Sequence, residues 1–108
     1  MSASLLPLKL IMRIEPGCLG PEGALHVERF CEFASEPFNR LGGQAMDWQL
    51  IPRFDKQLPE IEYWLNEHKL TATQAQRYLK LWSIDLEQQE EHTSELLSEL
   101  IDLFWQRR

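Results

Sequence analysis

From Thr71 to Gln106, apolar side chains return every three or four residues with no proline or glycine between them. The run takes up a third of the 108-residue chain. Ala72, Ala75, Tyr78, Leu79 and Trp82 form one stripe; Leu86, Thr93, Leu96, Leu97, Leu100, Ile101, Leu103 and Phe104 form a second, in phase with the first. A single helix over 72–106 would be about 52 Å long at 1.5 Å per residue. A compact chain of this size has a radius of gyration of about 13 Å. An unbroken helix would therefore project and need a partner, whereas a broken one can fold back on the rest of the chain. Ser83-Ile84-Asp85 reads as a stop and restart: a residue past the last turn, an apolar contact, then an Asp cap with Gln88 three residues on. The break is the reading that compactness favours. Thr71 with Gln74 makes a capping box at the start of the run, and Leu70 can staple against Ala75.

Upstream the periodicity changes. Leu8–Ile14 is apolar on nearly every residue and ends at Glu15-Pro16-Gly17, which predicts a central strand followed by a turn. Lys9 and Arg13 share one side of it and argue against complete burial of that face. Met46, Trp48 and Leu50 alternate with Asp47 and Gln49 up to Pro52. Ile61, Tyr63 and Leu65 alternate with Glu62 and Trp64, and Asn66-Glu67 can turn the chain into a short strand, His68–Leu70. Between the first two strands, Ala24, Val27, Phe30, Cys31, Ala34 and Phe38 make one helical stripe opposite Glu22, Glu28, Arg29, Glu32 and Glu36. Gly20 and Pro21 suit its start, Pro37 should end or kink it, and Leu41-Gly42-Gly43 reads as a loop.

The expected architecture is one α+β domain over 1–108. It has a small mixed sheet of three to four strands with helices packed on one face, in the order β-α-β-β-(β)-α-α. The first two strands, if parallel, should cross over right-handed. The order of elements is similar to a ferredoxin-like layout lacking its last strand, a likeness that licenses no function.

Composition narrows the function classes. The 44% hydrophobic content, with four Trp, five Phe and two Tyr, supplies a core without metal or disulfide staples. Two cysteines are too few for a disulfide framework, no signal-peptide pattern is legible in Met1–Leu10, and no run of 18 apolar residues exists. A cytoplasmic protein that does not enter the membrane is expected. The net charge of −6 argues against direct nucleic-acid binding. It is also unevenly placed. Residues 1–54 carry −1 and residues 55–108 carry −5; Asp85–Asp102 holds seven carboxylates and no Lys or Arg, before Arg107 and Arg108 close the chain.

Four features could carry function. Glu87, Glu91, Glu95 and Glu99 follow at i, i+4 with Asp102 on the same side, a pattern that costs an isolated helix about 0.2–0.5 kcal/mol per pair. The face is either merely solvated or an acidic surface for a basic protein partner. Cys18 lies in a Gly/Pro loop just before a helix start, where a thiol can be activated, although Glu15 and Glu22 oppose that; otherwise it only fills a turn. Arg53 and Lys56, after the second strand, could hold a small anion or simply be solvated. Trp48, Trp64, Tyr63 and Phe54 could stack bases, but their acidic neighbours point to cross-strand core packing instead.

Cys31 reads as core, and His26 as a half-buried ring beside the first helix's stripe. His68 and His92 lack partners at metal-ligand spacing, so neither a metal nor a cofactor is expected. The last helix, with Trp105 included, is apolar over a wider arc than one sheet covers: either it is wedged between the sheet and the preceding helix, or part of it buries against a second subunit, and a homodimer through it is expected. In order, the readings are a non-enzymatic interaction module using the acidic helix, a thiol-dependent enzyme or redox sensor at Cys18, and a small-anion binder at Arg53 and Lys56.

Overall fold

The computed structural model describes residues 5–106. Strand β1 spans Leu8–Ile14, helix α1 Gly23–Gly42, strand β2 Met46–Pro52, strand β3 Ile61–Leu65, strand β4 His68–Leu70, helix α2 Ala72–Lys80 and helix α3 Leu86–Gln106. The strands form one mixed sheet in the order β2-β1-β3-β4. β1 is central, parallel to β2 with Leu8 opposite Met46, and antiparallel to β3 with Leu10 opposite Tyr63. β3 and β4 form a hairpin in which Leu65 faces His68. The α+β class, the mixed sheet and the element order are those expected from the sequence. The ferredoxin-like comparison fails at the pairing level. That layout splits its β-α-β units with an intervening strand, whereas β1 and β2 here are direct neighbours.

Alternation along the strands decides which face is covered. Leu8, Leu10, Met12 and Ile14 of β1, Met46, Trp48 and Leu50 of β2, and Tyr63 of β3 are all buried on one face. There they meet Val27, Phe30, Cys31, Ala34 and Phe38 of α1, Ala75 and Leu79 of α2, and Leu86, Leu100 and Phe104 of α3. Each fully buried large side chain contributes roughly 1.5–3 kcal/mol. The opposite face carries Lys9, Ile11, Arg13, Asp47, Gln49, Ile51, Glu62, Trp64 and Lys69, and no helix of the described residues covers it.

The break between the last two helices is present and its chemistry is explicit. Ser83 takes φ 61, the left-handed conformation that terminates helices. The Ile84 N–H donates to the Leu79 carbonyl at 3.0 Å and the Ser83 N–H to the Lys80 carbonyl at 2.9 Å, the paired bonds of a Schellman motif. Asp85 then caps α3 through its carboxylate, which accepts from the Glu87 N–H at 2.9 Å, two residues on. Gln76 of α2 accepts from the Leu86 N–H at 2.9 Å and so fixes the angle of the elbow. At the other end of α2 both bonds of the Thr71–Gln74 capping box are made, at 2.9 and 3.1 Å.

Two expectations for α1 need correction. The helix starts at Gly23 rather than near Pro21, because Pro16–Leu19 forms a 3₁₀ turn that packs against its first residue. A Cβ on Gly23 would lie 1.7 Å from the Pro16 carbonyl oxygen, so only glycine admits this approach. Ala24, placed in the apolar stripe, is exposed in the first turn of the helix. The helix also continues through Pro37 to Gly42, taking in what read as a loop. Proline inside a helix costs about 3 kcal/mol. Here Phe38 is fully buried in the next position, and Asn39 is bonded to β2, so tertiary contacts outweigh that cost.

Candidate functional site

On α3 the burial pattern separates two faces. Leu86, Thr93, Leu100 and Phe104 are buried in a single line. Successive residues turn by about 100°, so Glu87, Glu91, Glu95, Glu99 and Asp102 fall on the side facing away from that line. All five are exposed. Among the described residues none of them closes an ion pair, and Arg107 and Arg108 lie outside those residues. The structure therefore brings the five sequence-predicted carboxylates together on one solvent-facing stripe about 22 Å long at helical rise.

The arcs on either side of the buried line, Leu96 and Leu103 on one and Leu97, Ile101 and Trp105 on the other, are only partly covered. Leu96, Leu97, Ile101 and Trp105 are half-buried, and Leu103 is 45% exposed. Phe104 packs edge-on against Phe30 at 5.5 Å and Trp105 against His26 at 5.3 Å, which anchors the C-terminal half of α3 on α1. A groove of about 290 Å³ runs between the two helices, with Phe33, Pro37, Leu100 and Leu103 along it and Glu36 and Arg40 at its rim. Further toward the start of α3, Glu90 comes close to Tyr63 of β3. Burial, and then that carboxylate, raises the Tyr63 phenol above its ordinary range.

The other predicted residues are dispersed. Arg53 braces its own loop: its guanidinium bonds Glu15 at 2.5 Å and the backbone carbonyls of Lys56 and Leu58 at 3.2 and 3.0 Å. Lys56 is exposed and contributes its carbonyl, not its ammonium, to that brace. Cys18 is exposed in the 3₁₀ turn, five residues ahead of α1. Cys31 is buried, and burial together with Glu28 and Glu32 pushes its thiol up to about 11. His68 and His92 are exposed, and His26 is half-buried. Among the described residues no cluster of His, Cys, Asp or Glu could hold a metal ion.

The aromatic side chains divide differently from the expectation of a shared core. Trp48 and Tyr63 are buried, whereas Phe54 is 64% exposed in the loop and Trp64 lies on the open face of the sheet. Period-two alternation sends Trp64 to the face opposite Tyr63. There it joins a polar network that sequence reasoning did not assemble. Arg13 meets Glu62 at 2.6 Å and donates to the Pro59 carbonyl at 2.9 Å; the Trp64 indole N–H donates to Glu62 at 3.0 Å; Lys69 stands 3.9 Å from the same carboxylate. Removal from water raises the Glu62 pKa, but the Trp64 and Arg13 hydrogen bonds and the charges of Arg13 and Lys69 outweigh it and hold the carboxyl below its ordinary value. The available signal was the same-side placement of Lys9 and Arg13 on β1 and of Glu62 and Trp64 on β3.

No protein-family model matches the chain. Comparison with curated proteins and with solved structures likewise gives no match. No helix among the described residues is long and apolar enough to cross a membrane.

Proposed function

We propose that this chain is a non-enzymatic protein-interaction module that presents the acidic face of α3 to a partner with a basic surface. One observation carries the reading: five carboxylates share one exposed stripe, and none is opposed by a cation among the described residues. Like charges at i, i+4 destabilise a helix, and a basic partner relieves that repulsion while accelerating encounter. The half-covered Leu96 and the exposed Leu103, on one flank of the buried line, support a homodimer through the same helix, with the acidic stripe left free. Unpaired Cys18 and Cys31 fit a reducing, cytoplasmic setting.

The test is capture from native cell extract by the wild-type chain and by a Glu87→Gln, Glu91→Gln, Glu95→Gln, Glu99→Gln variant. The variant removes three like-charge pairs and should be as stable or more so, by about 0.5–1.5 kcal/mol. The wild type should retain a basic protein at low salt and release it as salt rises, and the variant should fail to retain it. Equal capture by both chains sinks the reading. For the dimer, sedimentation equilibrium should show a Leu103→Glu chain shifted to monomer; a wild type that is monomeric throughout the micromolar range removes that part.

A further inference from the structure

The open face of the sheet holds a depression of about 470 Å³ lined by Lys9, Ile11, Trp64, Asn66 and Glu67. Its volume falls within the range of small-molecule sites. Lys9 and Trp64 are directly opposed across β1 and β3, and Asn66-Glu67 is the turn of the β3–β4 hairpin, where Asn66 adopts φ 56.

The aromatic wall of this depression is held in place. Trp64 spends its one donor on Glu62, Glu62 is fixed by Arg13, and Arg13 is fixed in turn by the Pro59 carbonyl. The Arg13 and Glu62 side chains are only 10% and 9% exposed, on a face that no helix of the described residues covers. Because the hydrogen bond uses the edge of the indole, what remains for a ligand is its π face. The charges around it are not used up. Lys69 leans toward Glu62, but among the described residues neither Lys9 nor Glu67 closes an ion pair, with each other or with any other group.

We infer that this depression binds a mononucleotide-like molecule, in which a planar heterocycle stacks on Trp64, an anionic phosphate meets Lys9, and hydroxyl donors reach Glu67 and Asn66. The match is one of chemistry. A stacking surface beside one free cation and one free carboxylate suits a ligand that joins a ring, hydroxyl donors and a single anionic group. The site is separate from the acidic stripe, because the open face of the sheet and the exposed face of α3 belong to different layers, and it stands or falls without the interaction reading.

Adenosine monophosphate is the probe, titrated into the labelled full-length chain and followed by proton–nitrogen correlation spectra. The Trp64 indole and the Ile11, Asn66 and Glu67 amides should shift along one saturable curve, with α1 resonances unmoved. Adenosine, which lacks the phosphate, should bind about tenfold more weakly, as should adenosine monophosphate to a Lys9→Glu chain. Trp64→Ala should abolish the shifts at Ile11, Asn66 and Glu67. Lys9 is exposed, so its variant keeps the fold even if the Trp64 substitution does not. Absence of a saturable shift at about 10 mM adenosine monophosphate, weaker than any specific site, overturns the inference. So does equal affinity in the wild type and the Lys9→Glu chain.

Discussion

Asn39 binds both backbone groups of Trp48. Its Oδ1 accepts from the Trp48 N–H at 2.8 Å and its Nδ2 donates to the Trp48 carbonyl at 3.2 Å. Strand β2 lies at the edge of the sheet, so among the described residues those groups have no neighbouring strand, and a helix side chain supplies the missing ladder rung. The same Nδ2 also bonds the Ser35 carbonyl, which ties the segment around Pro37 to the sheet. Asn39→Ala removes every one of these bonds from a half-buried position. We expect a loss of about 1–3 kcal/mol in urea denaturation, with β2 amides among the first to lose protection in hydrogen exchange.

The approach of α1 to the 3₁₀ turn gives a sharp contrast between two glycines. Gly23→Ala places a methyl group 1.7 Å from the Pro16 carbonyl oxygen and should destabilise the fold by at least about 2 kcal/mol. Gly17→Ala meets nothing within 4 Å and should be neutral or slightly stabilising. Thermal melts of the two variants check this; equal melting temperatures would show that the contact yields.

At the elbow, Ser83 adopts a conformation that glycine takes without steric cost. Ser83→Gly should therefore raise stability by about 1 kcal/mol, read as a higher urea midpoint with an unchanged slope. A lower midpoint would mean that the Ser83 side chain contributes more than its backbone strain costs.

Cys31 makes stability depend on alkaline pH. Its thiol is raised to about 11 in the folded chain, from 9.0, so the folded state keeps the proton after the unfolded state has lost it. The unfolded chain then binds fewer protons, and stability is full below pH 9 and falls as pH rises toward 11. Urea denaturation at both ends of that window should show a decline that is smaller in Cys31→Ala. In the native chain near neutral pH, a thiol reagent should label the exposed Cys18 quickly and leave the buried Cys31 unmodified until unfolding.

Glu62 acts at the acid end with the opposite sign. Its folded pKa lies below 4.5, so its contribution is present above that value and is lost as pH falls through the folded pKa. Glu62→Gln leaves Arg13 facing a neutral amide, and at pH 7 it should cost on the order of 2 kcal/mol. The gap between variant and wild type should close as the solution is acidified below 4.5. A gap that does not change with pH would mean that packing against Trp64, and not charge, is what the substitution removes.

Much of this protein follows from its sequence by itself. The near-continuous apolar run at 8–14, the period-two runs at 46–52 and 61–65, the Asn66-Glu67 turn, the Thr71–Gln74 cap and the stop at Ser83–Asp85 are each set by residues within a few positions of one another. The acidic stripe is legible for the same reason, since helical spacing alone puts its members on one side. Tertiary structure decided the rest. Pro37 stays helical because of Phe38 and of Asn39's bonds to Trp48, and Arg53 braces its own loop because Glu15 waits 38 residues upstream. Likewise Arg13 and Glu62 orient Trp64 only once β1 and β3 pair. Local periodicity fixes which way a side chain points within its own element. Which strand lies beside which, and what then stands opposite that side chain, depends on burying one shared core, and that is a property of the whole chain.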